Sequence, residues 1–289
     1  MNARHHFVVF ARCTPSKQEL IVAAWRKGAK MVQMLSSIRC LVLTGMLTSA
    51  LTSAALAQGE TKELRVVTRM LPPLVLTDQG RLGGFSIDIW NSIAQRMRTN
   101  TRYHVTPNVG ALLDYLRSGK ADLGIAGISA TSARDKEFDF SQPILNAGLQ
   151  IMVRSQDGGG IKGPKNLPGK RVATTRASTA AAFLRDIKVQ VYEFDLIKYA
   201  YYALLDGTVD AIVFDAPVLL NYAADEGKGR VQVVGSLFQR EDHCIVFPLN
   251  SPLREQVDSV LSTLREDGTY ANLYDKWFTN GSQRESQQN

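Results

Sequence analysis

The sequence predicts an α/β fold of two similar lobes with a ligand cleft between them, and three observations lead there. Strand-like and helix-like segments alternate in the order βαβαβ, twice, which is the pattern of a parallel sheet flanked by helices. The third unit of each series is alike in detail: LRSGKADLGIAG ends at Gly127 and LLDGTVDAIVFD ends at Asp215, aligning Gly119 with Gly207 and Asp122 with Asp210. Between the series, LQIMVRSQDGGGIKGPKNLPG passes from a strand into a Gly/Pro-rich connector.

In the first series, residues 64–68 (LRVVT) form a valine-rich run that suits a buried strand. The following MLPPLVLTDQGRLGG, with paired prolines and three glycines, is a loop or hairpin that sets Leu71 at the end of that strand. Ser86 is the candidate N-cap of a helix on which Ile89, Trp90, Ile93, Ala94 and Met97 recur at helical spacing, and Trp90 is assigned to the core. Residues 103–106 are the next strand. Residues 111–118 are a helix with Leu112, Leu113 and Leu116 inward, Gly119 stops it, and residues 121–126 are the third strand.

In the second series, 171–174, 188–193 and 211–214 are strands, with helices over 178–185, 196–205 and onward through Tyr222. Residues 243–247 make a further strand. Ser251 then caps a helix with Pro252 at its first position and Val257, Val260, Leu261 and Leu264 facing inward. Two crossings between lobes place hinges near 152–155 and 245–249. The expected organisation is a leader over 1–57, a first lobe over 58–154, a second lobe over 155–246, a return to the first lobe over 247–279, and a polar, disordered tail over 280–289.

Residues 41–57, LVLTGMLTSALTSAALA, carry no charge, follow Arg39 and end in Ala55-Leu56-Ala57. Their length and their many small and hydroxyl residues fit a secretory signal with its core over 34–57 and cleavage after Ala57 better than a membrane span. Met1, Met31 and Met34 all stand as possible starts. The net charge of +7 belongs largely to this leader, since residues 1–57 hold seven Lys/Arg and one acidic residue. The remaining 27 Lys/Arg against 26 Asp/Glu give no support for a nucleic-acid partner. Cys13 and Cys40 leave with the leader, so Cys244 has no intramolecular partner and, within CIVF, is expected as a buried apolar residue. No apolar run after Gln58 is long enough to cross a bilayer.

The candidate site centres on GISATSARDKEFDFS, 127–141. Ser129 and Thr131 leave the buried strand, a helical turn capped by Thr131 or Ser132 follows, and Arg134 falls in its first turn. A guanidinium there, beside free backbone N–H groups and a hydroxyl, can take a carboxylate with two parallel hydrogen bonds. From local sequence the competing reading is a solvated ion-pair network with Asp135, Glu137 and Asp139. Ligands of open α/β sheets gather beyond the carboxyl ends of the strands, where Gly127 and Ser129 lie in one lobe and Asp215 in the other. Ser178 and Thr179, opening a helix, offer a second anion site nearby.

In these residues the chain resembles the family 3 periplasmic solute-binding proteins that serve amino-acid ABC transporters. Their type II periplasmic-binding-protein fold is shared with ionotropic glutamate-receptor ligand-binding domains. The blocks that carry the resemblance, in order, are PPLVLTDQGRLGGFSIDIW, GISATSARDKEFDFSQP, TTRASTAAAFL and VDAIVFDAPVLLNY, closed by NSPLREQVDSVLSTLREDGTY with YDKWF. The resemblance implies that Arg134 binds the ligand α-carboxylate with Ser178 and Thr179, that Ser129 adds a hydroxyl, that the Gly127 carbonyl meets the α-amino group, and that Asp215 pairs with the ammonium. Thr131 and Leu71 complete the expected ligand-binding set. The family commonly has an aromatic wall where this chain has Leu71; Phe85 or Tyr222 supplies it instead, or the ligand is small or aliphatic. Arg69 and Asn146 could each line the pocket, with the surface as the preferred place for both, and Asp88 and Asp122 are expected as structural cap or turn residues.

The function implied is a non-enzymatic periplasmic binding protein. It closes on a zwitterionic amino acid and delivers it to an inner-membrane ABC permease, acting as a monomer without cofactor, metal or nucleic acid. The alternatives are a periplasmic cyclohexadienyl or arogenate dehydratase and a soluble glutamate-receptor-like sensor. An enzyme would need an acid over the ligand, for which Asp215 is the candidate, and neither His104 nor His243 forms an evident catalytic pair in the sequence.

Overall fold

The computed structural model describes residues 62–157 and 160–279. The expected leader, its cleavage point and the tail lie outside these residues.

The chain begins with β1 (Glu63–Arg69), the hairpin β2 (Leu76–Asp78) and β3 (Arg81–Gly83), then α1 (Phe85–Arg96), β4 (Asn100–Thr106), α2 (Val109–Arg117) and β5 (Leu123–Ser129). A short β6 (Phe138–Phe140) leads into the long β7 (Leu145–Arg154). The second series is β8 (Arg171–Thr175), α3 (Thr179–Arg185), β9 (Gln190–Phe194), α4 (Ile197–Leu205), β10 (Ala211–Asp215) and α5 (Ala216–Ala224). An eighteen-residue β11 (Val231–Pro248), α6 (Leu253–Glu266) and α7 (Thr269–Tyr274) complete it.

The main sheet runs β4-β1-β5-β11-β7-β10-β8-β9, with β6 also on β11. Its ends are two parallel triplets of equal connectivity, each with its first strand in the middle: β4-β1-β5 and β9-β8-β10. The antiparallel pair β11 and β7 joins them. The internal repeat has a physical counterpart. Asp122 accepts from the backbone N–H of Arg65 at 2.8 Å and pairs with its guanidinium, and Asp210 does the same with Arg171 at 2.9 Å.

Inside its triplet, between β1 and β11, β5 is a continuous buried run, while the edge strands β4 and β9 stay partly exposed. Trp90 is fully buried, its indole N–H donating to Thr101 Oγ1 at 3.0 Å. Helix α1 is capped differently from expectation: Ser86 is not the cap, because Gly84 is. The N–H groups of Phe85 and Ser86 donate instead to the carbonyls of Pro73 and Leu74 in the preceding loop. That approach requires glycine, since Gly84 has φ 112° and a Cβ there would lie 2.4 Å from the Leu74 carbonyl oxygen.

β7 and β11 carry the chain between the triplets. β10 pairs with β7 over Leu149–Met152, while β5 pairs with β11 from His243 onward. The passage therefore spans 145–149 and 238–243, earlier in both strands than the expected 152–155 and 245–249. Register shifts on either side of Phe238 mark it in β11, and such bulges re-aim the side chains that follow.

Candidate functional site

The carboxyl ends of β1, β5 and β10 converge beside β11, bringing together Arg69, Gly127, Ser129, Asp215, Glu241 and His243. The turn after β5 forms as expected, with Thr131 Oγ1 accepting from the Arg134 N–H at 3.3 Å. This fixes Arg134, whose guanidinium donates to the Ser129 carbonyl at 2.8 Å and, across the cleft, to the Ala177 carbonyl at 3.1 Å. Arg134 thus belongs to the cleft and not to the acidic run that follows it, where Glu137 is paired with Arg117 instead. Burial pulls the Arg134 pKa below its ordinary value, opposed by the charges of Glu241 and Asp215.

Ser178 is the N-cap of α3. Its hydroxyl accepts from the Ala181 N–H at 3.0 Å and donates to the Thr175 carbonyl at 2.7 Å, which fixes the strand-to-helix turn. Thr179 instead turns its hydroxyl into the cleft, where it donates to Glu241 Oε2 at 2.8 Å. Ser129 Oγ donates to the same oxygen.

Asp215 ends β10 as the N-cap residue of α5 and is buried, with 5% exposure. Its Oδ1 lies 3.7 Å from His243 Nε2. His243 is also buried, and neither ring nitrogen has a hydrogen-bond partner among the described residues. β11 sets it directly opposite Ser129. This Asp215–His243 juxtaposition is one that separate readings of the two segments do not give.

Arg69 corrects the expectation of a surface residue. It is buried, and donates from Nε to the Ala126 carbonyl at 3.2 Å and from Nη2 to the Gly127 carbonyl at 3.3 Å. Burial brings its pKa down to about 10, a shift that Asp215 opposes and Arg134 reinforces, so it stays charged at neutral pH. Asn146 is exposed as expected and donates to Asp242. Gly127 has φ 60°, and a Cβ there would meet Leu74 Cδ1 at 2.7 Å and Leu71 Cδ2 at 3.1 Å. Leu71 therefore packs against the floor of the site and is itself buried.

Asp215, Glu241 and His243 bring three potential metal ligands within 4.8 Å of one another. Two guanidinium groups act on the same carboxylates, Arg69 on Asp215 and Arg134 on both, and they supply the positive charge a cation would bring. The arrangement reads as a compensated ionic cluster rather than a metal cage.

A 420 Å³ cavity is lined by Met70, Pro72, Ile197, Tyr201, Val218 and Tyr222 among others, none of them a member of the cluster. Tyr222 lies on α5, which starts at Asp215, and stacks on Tyr201 with centroids 3.6 Å apart. Of the two expected substitutes for an aromatic wall, Tyr222 lines this cavity. Phe85 is fully buried against Tyr270, Tyr274 and Phe278.

Comparison with known proteins places this geometry. Residues 64–280 match the bacterial extracellular solute-binding proteins, family 3. A putative amino-acid ABC transporter-binding protein of Vibrio harveyi is 30% identical over 233 residues, covering 78% of this chain and 92% of that one. The GluR0 ligand-binding core from Nostoc punctiforme, solved with L-glutamate, is 49% identical with a TM-score of 0.71, covering 74% of this chain and 99% of that one. An ancestral arginine-binding protein bound to arginine is 34% identical with the same TM-score, over 75% and 98% of the two chains. With the two-lobed fold shared and the family matched over most of its length, the chain belongs to the bacterial extracellular solute-binding proteins, family 3.

Proposed function

We propose that the protein is a periplasmic binding protein that captures an L-amino acid and delivers it to an inner-membrane ABC permease. One observation carries the reading: a fixed guanidinium, Arg134, and a buried carboxylate, Asp215, stand at facing strand ends of the two triplets. A zwitterion has one charge for each. Its α-carboxylate would take Arg134 with the hydroxyl of Thr179, and its ammonium would take Asp215 with the carbonyl of Gly127. Ser129 supplies a further hydroxyl, while Ser178, Thr131 and Leu71 position these groups rather than reach the ligand. Exclusion of water would strengthen each pair.

The long antiparallel strands β11, against β5, and β7, against β10, join the two triplets. Bending in them would open and close the two lobes, which change over at 145–149 and 238–243. Export follows from the leader, with cleavage after Ala57. We read the protein as a monomeric carrier that does not turn its ligand over.

The test is the melting temperature of residues 58–289 against a panel of L-amino acids. A ligand at 100 times its Kd stabilises by about 2.7 kcal/mol, a shift of several degrees. A shift with a subset of amino acids supports the reading, and no shift with any overturns it. Product formation from prephenate or arogenate would instead establish the dehydratase alternative.

A further inference from the structure

Glu241 has no place in the site read from the sequence, yet it holds the donors that the reading above gives to a ligand carboxylate. Its Oε2 accepts from Ser129 Oγ at the end of β5 and from Thr179 Oγ1 at the start of α3, the latter at 2.8 Å. Its charge acts on Arg134, the guanidinium at the same end of the site. Ser129 belongs to the first triplet and Thr179 to the helix that leaves β8 of the second, so one carboxylate oxygen ties the two triplets together. A carboxylate held by hydroxyls beside a guanidinium is what a bound α-carboxylate would be there.

Glu241 and a ligand carboxylate cannot use these donors at once. Each hydroxyl has a single proton to give, and two carboxylates gathered at one guanidinium repel each other. An α-carboxylate that takes Arg134 and Thr179 therefore requires Glu241 to leave. It has a way out. Its Oε1 accepts at 3.1 Å from Nε2 of Gln239, an exposed residue, so the carboxylate already reaches the rim of the site. The strand beside it is irregular, with a register shift between Phe238 and Arg240 and φ 45° at Gln239.

Resting on the amino-acid reading above, we propose that Glu241 is an internal surrogate for the ligand α-carboxylate: it holds the Ser129 and Thr179 hydroxyls before a ligand arrives, bridges the two triplets through them, and is displaced when an amino acid binds. Glu241 thereby sets the affinity, because the incoming carboxylate replaces hydrogen bonds that the protein already makes with itself.

The experiment is calorimetric titration of the wild-type protein, Glu241→Gln and Glu241→Ala with the amino acid that gives the largest thermal shift and with its α-amide. Both variants should bind the amino acid about tenfold or more tightly than the wild type, since hydrogen bonds to a charged group no longer have to be given up. The gain should be larger for Glu241→Ala, because the amide oxygen of glutamine can still accept from a hydroxyl. The α-amide should gain little in either variant, having no carboxylate to bring to the freed donors. Binding of the amino acid no tighter in both variants than in the wild type would mean that Glu241 keeps its hydrogen bonds in the complex, and an equal gain for the α-amide would mean that the substitution acts on the site as a whole. Either result overturns the displacement of Glu241 while leaving amino-acid capture standing. Failure of every amino acid to bind any of the three proteins would overturn both.

Discussion

Arg134 Nη2 donates to the Ala177 carbonyl at 3.1 Å, so a side chain rooted just after β5 reaches the loop that precedes α3. The same guanidinium holds Ser129 through its carbonyl at 2.8 Å. One residue therefore links the two triplets and presents charge between them. Arg134→Ala should weaken amino-acid binding by at least about 100-fold, as expected when one member of a buried charge pair is removed. Arg134→Lys should recover little of it, because an ammonium cannot reproduce the planar fork. Titration calorimetry with the amino acid giving the largest thermal shift measures both.

Asp215→Asn keeps the shape of the site and removes the charge proposed to meet the ammonium. Affinity should fall by about 100-fold, and the variant should not be rescued by higher ligand charge elsewhere. An unchanged Kd in the same titration would mean that the ammonium lies somewhere else.

Gly84 is a packing requirement with a measurable cost. Gly84→Ala forces a Cβ onto the Leu74 carbonyl and strains φ, and should destabilise by about 2–4 kcal/mol in urea unfolding. Gly119→Ala is the control, with φ +69° but nothing within 4 Å of the added Cβ, and should cost about 1 kcal/mol.

The twin Arg–Asp pairs give an acid-side slope to stability. Burial works to raise the Asp122 pKa, but hydrogen bonds and charge from Arg65 outweigh it and hold the group below its ordinary value. The side-chain hydrogen bond from Arg171 chiefly does the same for Asp210. A depressed folded pKa gives stability that is fully present above the unfolded value of about 3.9 and is lost as pH falls through the folded one. Asp122→Asn and Asp210→Asn should each lower the melting temperature at pH 6 and flatten its decline below about pH 4. Thermal melts across that range check this.

Burial pushes the Cys244 thiol up to about 12, and Asp242 adds to the shift. In native protein of residues 58–289, Cys244 should therefore resist a thiol reagent at pH 8 and react fully once the chain is unfolded in guanidinium.

Much of this architecture was legible from local pattern. The aligned Asp122 and Asp210 are structural equivalents, and Trp90 and Cys244 lie in the core as their neighbours implied. Arg134 was legible because the strand, hydroxyl and turn signals around it are contiguous. Glu241 was not, because it lies in the polar run QRED, which precedes the stretch 243–247 that reads as strand. The strand runs over the whole of Val231–Pro248, and within it Glu241 and His243 share one face by their spacing of two. Arg69 follows a buried strand and its burial depends on carbonyls nearly sixty residues away, for which its own segment holds no signal.

The most direct test of the two-ended clamp is the affinity of three forms of the amino acid that stabilises the protein most: the free zwitterion, its α-amide and its des-amino acid. The account predicts that the zwitterion binds and that each form lacking one end binds at least about 100-fold more weakly, since each leaves a buried charge unpaired. Equal affinity for either truncated form would contradict it, because Arg134 or Asp215 would then have no ligand charge to meet.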